Sequence, residues 1–94
     1  MAQSTILAAG ITNATSTDVV VATGVRVHVG AFGAVDTYMP YGYEFIVRMD
    51  TPDGDLVYGK LTPEKPYMHI IGPGTFRVTR TAITGSPFGV FLET

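Results

Sequence analysis

The chain has 94 residues, of which 46% are hydrophobic and only 15% charged. That is enough for one domain, too apolar for disorder, and poor in charge against an ordinary share of about 25%. A net charge of -2 with six scattered Lys and Arg excludes a duplex-binding surface, and zero Cys excludes disulfides, thiolate catalysis and cysteine-held zinc.

Val, Ile and Thr make up about a third of the chain, and 11 Gly and 6 Pro punctuate it, a mixture that opposes helices and suits short strands between turns. Met1 to Thr12 lacks the basic region and apolar length of a signal peptide, and no run is long enough to span a membrane. Asn13-Ala14-Thr15 matches the glycosylation pattern, which without an export signal reads as coincidence. In chain order the strands expected are Thr5–Ala9, Asp18–Ala22, Val25–Val29, Tyr43–Asp50, Leu56–Leu61, Tyr67–Ile71, Phe76–Ala82 and Phe88–Leu92. Turn signals separate them, at Gly10, Asn13–Ser16, Gly24, Gly30–Gly33, Pro40–Gly42, Pro52–Gly54, Pro63–Pro66, Gly72–Gly74 and Gly85–Pro87. About eight short strands at this spacing predict a single all-β domain over 1–94, an antiparallel β-sandwich of jelly-roll type. Residues 1–17 read either as a first edge strand or as an arm reaching onto a neighbour, with Ile6 and Leu7 as its apolar contacts.

Period-two alternation assigns faces. Val25, Val27 and Val29 are expected inward, with Arg26 and His28 outward, and Tyr43, Phe45, Val47 and Met49 form one row of the longest strand. Phe76, Val78 and Phe91 join this core. Val19-Val20-Val21 is apolar on both faces, so that strand is either covered twice or meets a partner. Asp53-Gly54 between two apolar runs supplies the positive φ angles of a tight hairpin.

Little here points to catalysis. His28 and His69 sit mid-strand without an acidic residue two positions away, and no nucleophile-elbow, zinc-helix or phosphate-loop pattern occurs, so both read as structural or surface residues. Asp50, Asp53 and Asp55 surround the hairpin but lack the ligand number and register of a calcium loop, which favours a plain turn. Gly72-Pro73-Gly74 precedes a strand, not a helix, and reads as a tight loop, not a phosphate cradle. No cofactor or metal is expected. Arg80 falls in the inward row of Phe76 and Val78 near a strand end, where it either snorkels to the rim or pairs with a carboxylate of a neighbouring subunit. Tyr38, Met39, Pro40, Tyr41 and Tyr43 crowd one loop. They either fold back to plug the sandwich, dock on a partner protein, or stack on sugar rings.

Gly24 to Gly30, Thr51-Pro52-Asp53-Gly54 with Leu61, Gly72 to Val78 and Phe88 to Glu93 together resemble the small decoration, or cement, proteins of tailed bacteriophages over about two-thirds of the chain. The resemblance implies a compact sandwich or jelly roll that assembles as a homodimer or homotrimer. It also implies binding to the outside of the virion at seams between major capsid protein subunits, after synthesis in the host cytoplasm. It implies no catalytic residues, no nucleic-acid partner and no membrane. A carbohydrate-binding sandwich suits the same features, although such modules usually expose Trp and this chain has none.

Overall fold

The computed structural model describes residues 2–35 and 38–94; Met1, Asp36 and Thr37 lie outside the described residues. Among the described residues nine strands follow in order: β1 Gln3–Gly10, β2 Ala14–Thr15, β3 Val19–Val21, β4 Arg26–Gly33, β5 Phe45–Thr51, β6 Gly54–Leu61, β7 Tyr67–Ile71, β8 Gly74–Arg80 and β9 Phe88–Glu93. There is no helix among the described residues, as the wealth of β-branched residues and breakers requires.

The pairing is nested. β5 pairs with β6, β4 with β7, β2 and β3 both with β8, and β1 with β9, so the chain is one long hairpin folded about Pro52 and Asp53. Rolling that hairpin brings β4 beside β9 and β5 beside β8. Two antiparallel sheets result, β1-β9-β4-β7 and β2-β8-β5-β6 with β3 also on β8. With β2 and β3 counted as two pieces of one interrupted strand, eight strands in this order make a jelly roll, the architecture expected.

Each sheet turns one row inward. Val27, Val29, Ile70, Phe88 and Val90 from the first meet Val19, Val21, Phe45, Val47, Leu61, Phe76 and Val78 from the second, all buried. This is the row that alternation assigns, because a one-residue slip in register would place every one of these side chains in water. Phe91 is the exception, lying on the outer face over Gly30 while Phe88 and Val90 of the same strand turn inward.

Several local expectations are corrected. Ala14–Thr15 is a short strand where a turn was read. Between it and β3, buried Ser16 stands in for the ladder: its N–H donates to the Val78 carbonyl at 2.8 Å and its Oγ accepts the Val78 N–H at 2.9 Å. β4 continues through Gly30 to Gly33, because those glycines sit inside the sheet. Val25 precedes β4 and is 45% exposed, outside the core row. At the hairpin tip Thr51 opposes Gly54, and among the described non-glycine residues none has positive φ, so the two-residue turn is Pro52-Asp53, one position earlier than expected. Proline presets the first turn position, and Gly54 at φ 110° absorbs the left-handed step that follows.

Candidate docking surface

The loop between β4 and β5 divides its side chains between two tasks. Met39 and Tyr43 are buried in the core, while Tyr38 is 75% and Tyr41 94% exposed. Tyr43 is fixed at both ends: its ring meets Phe88 edge-on at 5.4 Å, and its hydroxyl lies 3.0 Å from the Thr84 carbonyl and 2.9 Å from that of Ser86. Gly85 makes this possible, since at φ 109° a side chain is strained and a Cβ would come within 3.0 Å of that hydroxyl. The Tyr43 N–H closes the turn onto the Pro40 carbonyl at 3.3 Å, with Gly42 at φ 92° between them. The plugging and the outward readings therefore each describe part of the loop. Met39 and Tyr43 plug the sandwich, and Tyr38 and Tyr41 project from that base. Half-buried Pro40 joins Tyr41, Ala82 and Thr84 in lining a shallow cleft.

Arg80 follows neither expected course. It is 4% exposed, and its guanidinium donates to the carbonyls of Thr12 at 2.8 Å, Ala8 at 2.8 Å and Phe88 at 2.9 Å. Burial lowers its pKa, and the carbonyl dipoles hold the charge in place of a carboxylate. Gly10 leaves room for it, as a Cβ there would lie 2.8 Å from the guanidinium. Carbonyls that β1 and the connection to β2 would otherwise leave unpaired are thereby satisfied.

The N-terminal segment is an edge strand of its own sheet. β1 pairs with β9 from Gln3↔Glu93 to Gly10↔Phe88, Leu7 is in the core and Ile6 packs against it, so neither is free to reach a partner. Val20 on β3 is the reverse case. Its neighbours Val19 and Val21 are buried while it is 78% exposed, so the strand is not covered on both faces.

Two polar groupings occupy the outer faces. On the second sheet Arg77 lies among Asp18, Asp50 and Asp55, with Nε 3.0 Å from Asp18 and one terminal nitrogen 3.9 Å from Asp50. Hydrogen bonds to Asp18 and Asp55 raise its pKa. Two of the hairpin aspartates thus serve an arginine. On the first sheet His28 and His69 oppose each other, their rings stacked 4.2 Å apart and 7° from parallel, with Glu93 3.8 Å from His28 Nδ1. Desolvation lowers the His69 pKa, helped by His28, Arg26 and Lys65. Among the described residues no three His, Asp or Glu converge as metal ligands.

Neither grouping was legible from local spacing, because each is made by cross-strand register between residues far apart in sequence. Compared with known proteins, the chain matches no family model, no curated protein and no solved structure.

Proposed function

We propose that this chain is a structural protein of a phage virion that binds the outside of the capsid as a homo-oligomer and stabilises contacts between major capsid subunits. The observation that carries the reading is the pair Tyr38 and Tyr41, held in water by a loop that Met39 and Tyr43 anchor in the core. Rigid aromatic side chains presented this way supply large contact area at low entropic cost, which is what a docking surface needs. A scaffold poor in charge and repeated over many copies gains occupancy through multivalency even when each contact is weak. The resemblance to decoration proteins and the jelly-roll order agree with it.

The test is co-sedimentation of the purified protein with capsids that lack it. Binding that falls at least about tenfold in the Tyr38→Ser, Tyr41→Ser double variant, with unchanged thermal stability, supports the reading, since exposed aromatic anchors are worth a few kcal/mol each at a contact. Absence of binding by the wild-type chain refutes it. The same exposed tyrosines favour one second reading, a carbohydrate-binding module in which they stack on sugar rings. A glycan panel decides that alternative, which fails if no sugar binds at about millimolar concentration, the weak end of specific recognition.

A further inference from the structure

Of the four sheet edges, three are irregular. β1 carries two register shifts, β6 carries a bulge where Tyr58 is the extra residue, and the edge opposite β6 is split into β2 and β3. Bulges and breaks of this kind keep an edge from pairing with another chain. β7 has none: its ladder to β4 runs without a shift from Tyr67 to Ile71, and it contains neither Lys, Arg, Asp, Glu nor Pro.

The hydrogen-bond phase of that ladder is fixed at both ends. Gly72 N–H donates to the Val25 carbonyl at 2.9 Å and Ala31 N–H to the Pro66 carbonyl at 2.8 Å. Antiparallel pairs alternate between bonded and non-bonded, so Met68 and Ile70 turn their backbone groups to β4. The N–H and C=O of Tyr67, His69 and Ile71 then point away from the sheet. The same phase makes His28↔His69 a non-bonded pair, whose side chains lie closest, consistent with the stacking.

We propose that this edge is a self-association surface, on which a second copy of the chain pairs antiparallel about a two-fold axis at His69. In that register His69 opposes His69 of the second copy, and Tyr67 opposes Ile71 twice. All outward N–H and C=O groups of the three residues then find partners, and both exposed apolar side chains gain an apolar neighbour on the same face. The two sheets become one continuous sheet. No charged side chain of β7 meets another across the axis.

The area is small but not confined to the edge. Five paired residues span about 17 Å, and a contact limited to that edge buries less than the roughly 1,200 Å² expected of a stable complex. Directly beneath lies β6, where Met68 of β7 packs so near Gly59 that a Cβ would meet its methyl carbon at 2.7 Å. Leu56 and Tyr58 of β6, opposite Met49 and against Phe76, are exposed on the face of that strand turned toward the first sheet. They extend the apolar strip below the paired strands, giving a dimer that forms and dissociates with concentration.

Acid opposes it. Protonation of His69 in both copies puts like charges at the axis, to which His28 and Arg26 of β4 and Lys65 before β7 add positive charge, offset in part by Glu93 beside His28 and Glu64 before β7.

The proposal gives a surface to the self-association in the reading above and deepens it. Its test uses purified protein without capsids, so its failure leaves capsid binding to be judged by co-sedimentation. Sedimentation equilibrium at neutral pH should show a mass rising with concentration from the chain's 10.0 kDa toward twice that, and less association in acid. His69→Pro removes a donor used only at the free edge, so the variant should fold and associate at least about tenfold more weakly, two hydrogen bonds being lost per dimer. Because the chain has no cysteine, single Cys variants read the register directly. His69→Cys should oxidise to a covalent dimer, Tyr67→Cys should not, and a mixture of Tyr67→Cys with Ile71→Cys should cross-link. A monomer at every concentration overturns the proposal, as does cross-linking of Tyr67→Cys equal to that of His69→Cys. If His69→Pro does not fold, the cysteine pattern decides.

Discussion

Phe91 lies across Gly30, its cross-strand partner, so closely that a Cβ on the glycine would sit 2.6 Å from two ring carbons. The ring covers the gap that a residue without a side chain leaves in the sheet, and the glycine accepts the ring. The Gly30→Ala variant is expected to be about 1–3 kcal/mol less stable, as overpacked sites are. Phe91→Leu in the same chain should return part of that loss. Denaturant melts of the two single variants and the double variant check this, and strict additivity would mean that the residues are not coupled.

Arg80 gives the largest expected loss. Arg80→Met preserves length and apolar volume but leaves the carbonyls of Ala8, Thr12 and Phe88 without their donor. Loss of charged hydrogen bonds at a buried site predicts destabilisation of about 2–4 kcal/mol, and so a fall of roughly 10 °C or more in Tm for a domain of this size. A thermal melt within about 2 °C of wild type would contradict that role, being less than the shift from a single lost hydrogen bond.

Tyr43→Phe keeps the ring against Phe88 and removes only the hydroxyl that meets Thr84 and Ser86. A cost of about 1–2 kcal/mol is expected, as for one well-placed buried hydroxyl. Tyr41→Phe should be neutral by the same thermal measurement, because its hydroxyl is in water.

The histidine pair predicts the sign of a pH dependence. His69 has a pKa below its ordinary 6.5, so the folded chain binds its proton less readily than the unfolded chain does. Its contribution is fully present above 6.5 and is lost as pH falls from there through the folded-state value. Urea midpoints should therefore decline with acidification across this window, and His69→Gln should flatten the decline. An equal slope in both proteins would assign the effect to other groups.

Alternation made the inner rows of β5 and β8 legible, since Phe45, Val47, Phe76 and Val78 differ from their neighbours in polarity and strand geometry does the rest. It failed wherever tertiary contact overrides local pattern. Val25 has the polarity of a core residue but precedes the strand. β2 spans two residues and its neighbour Ser16 completes the ladder through a hydroxyl, which no propensity registers. The docking loop was visible as a concentration of tyrosines, yet only the backbone positions set by Gly42 and Gly85 decide which tyrosine is anchored. Arg80 read as a rim or interface charge because its actual partners are carbonyls, which every residue carries and no sequence distinguishes.

The nested pairing of strands also sets an order of least cost for folding. A loop with flexible ends loses entropy slowly with length, yet closing Ala2 onto Thr94 directly would enclose almost the whole chain before any ladder bond rewarded it. Started at Pro52 and Asp53, each pair brings the next within a short reach: β5 with β6, then β4 with β7, then β2 and β3 with β8, then β1 with β9. The chain can close as a zipper from its middle, with its two ends, bonded to each other at Ala2 and Thr94, as the last teeth.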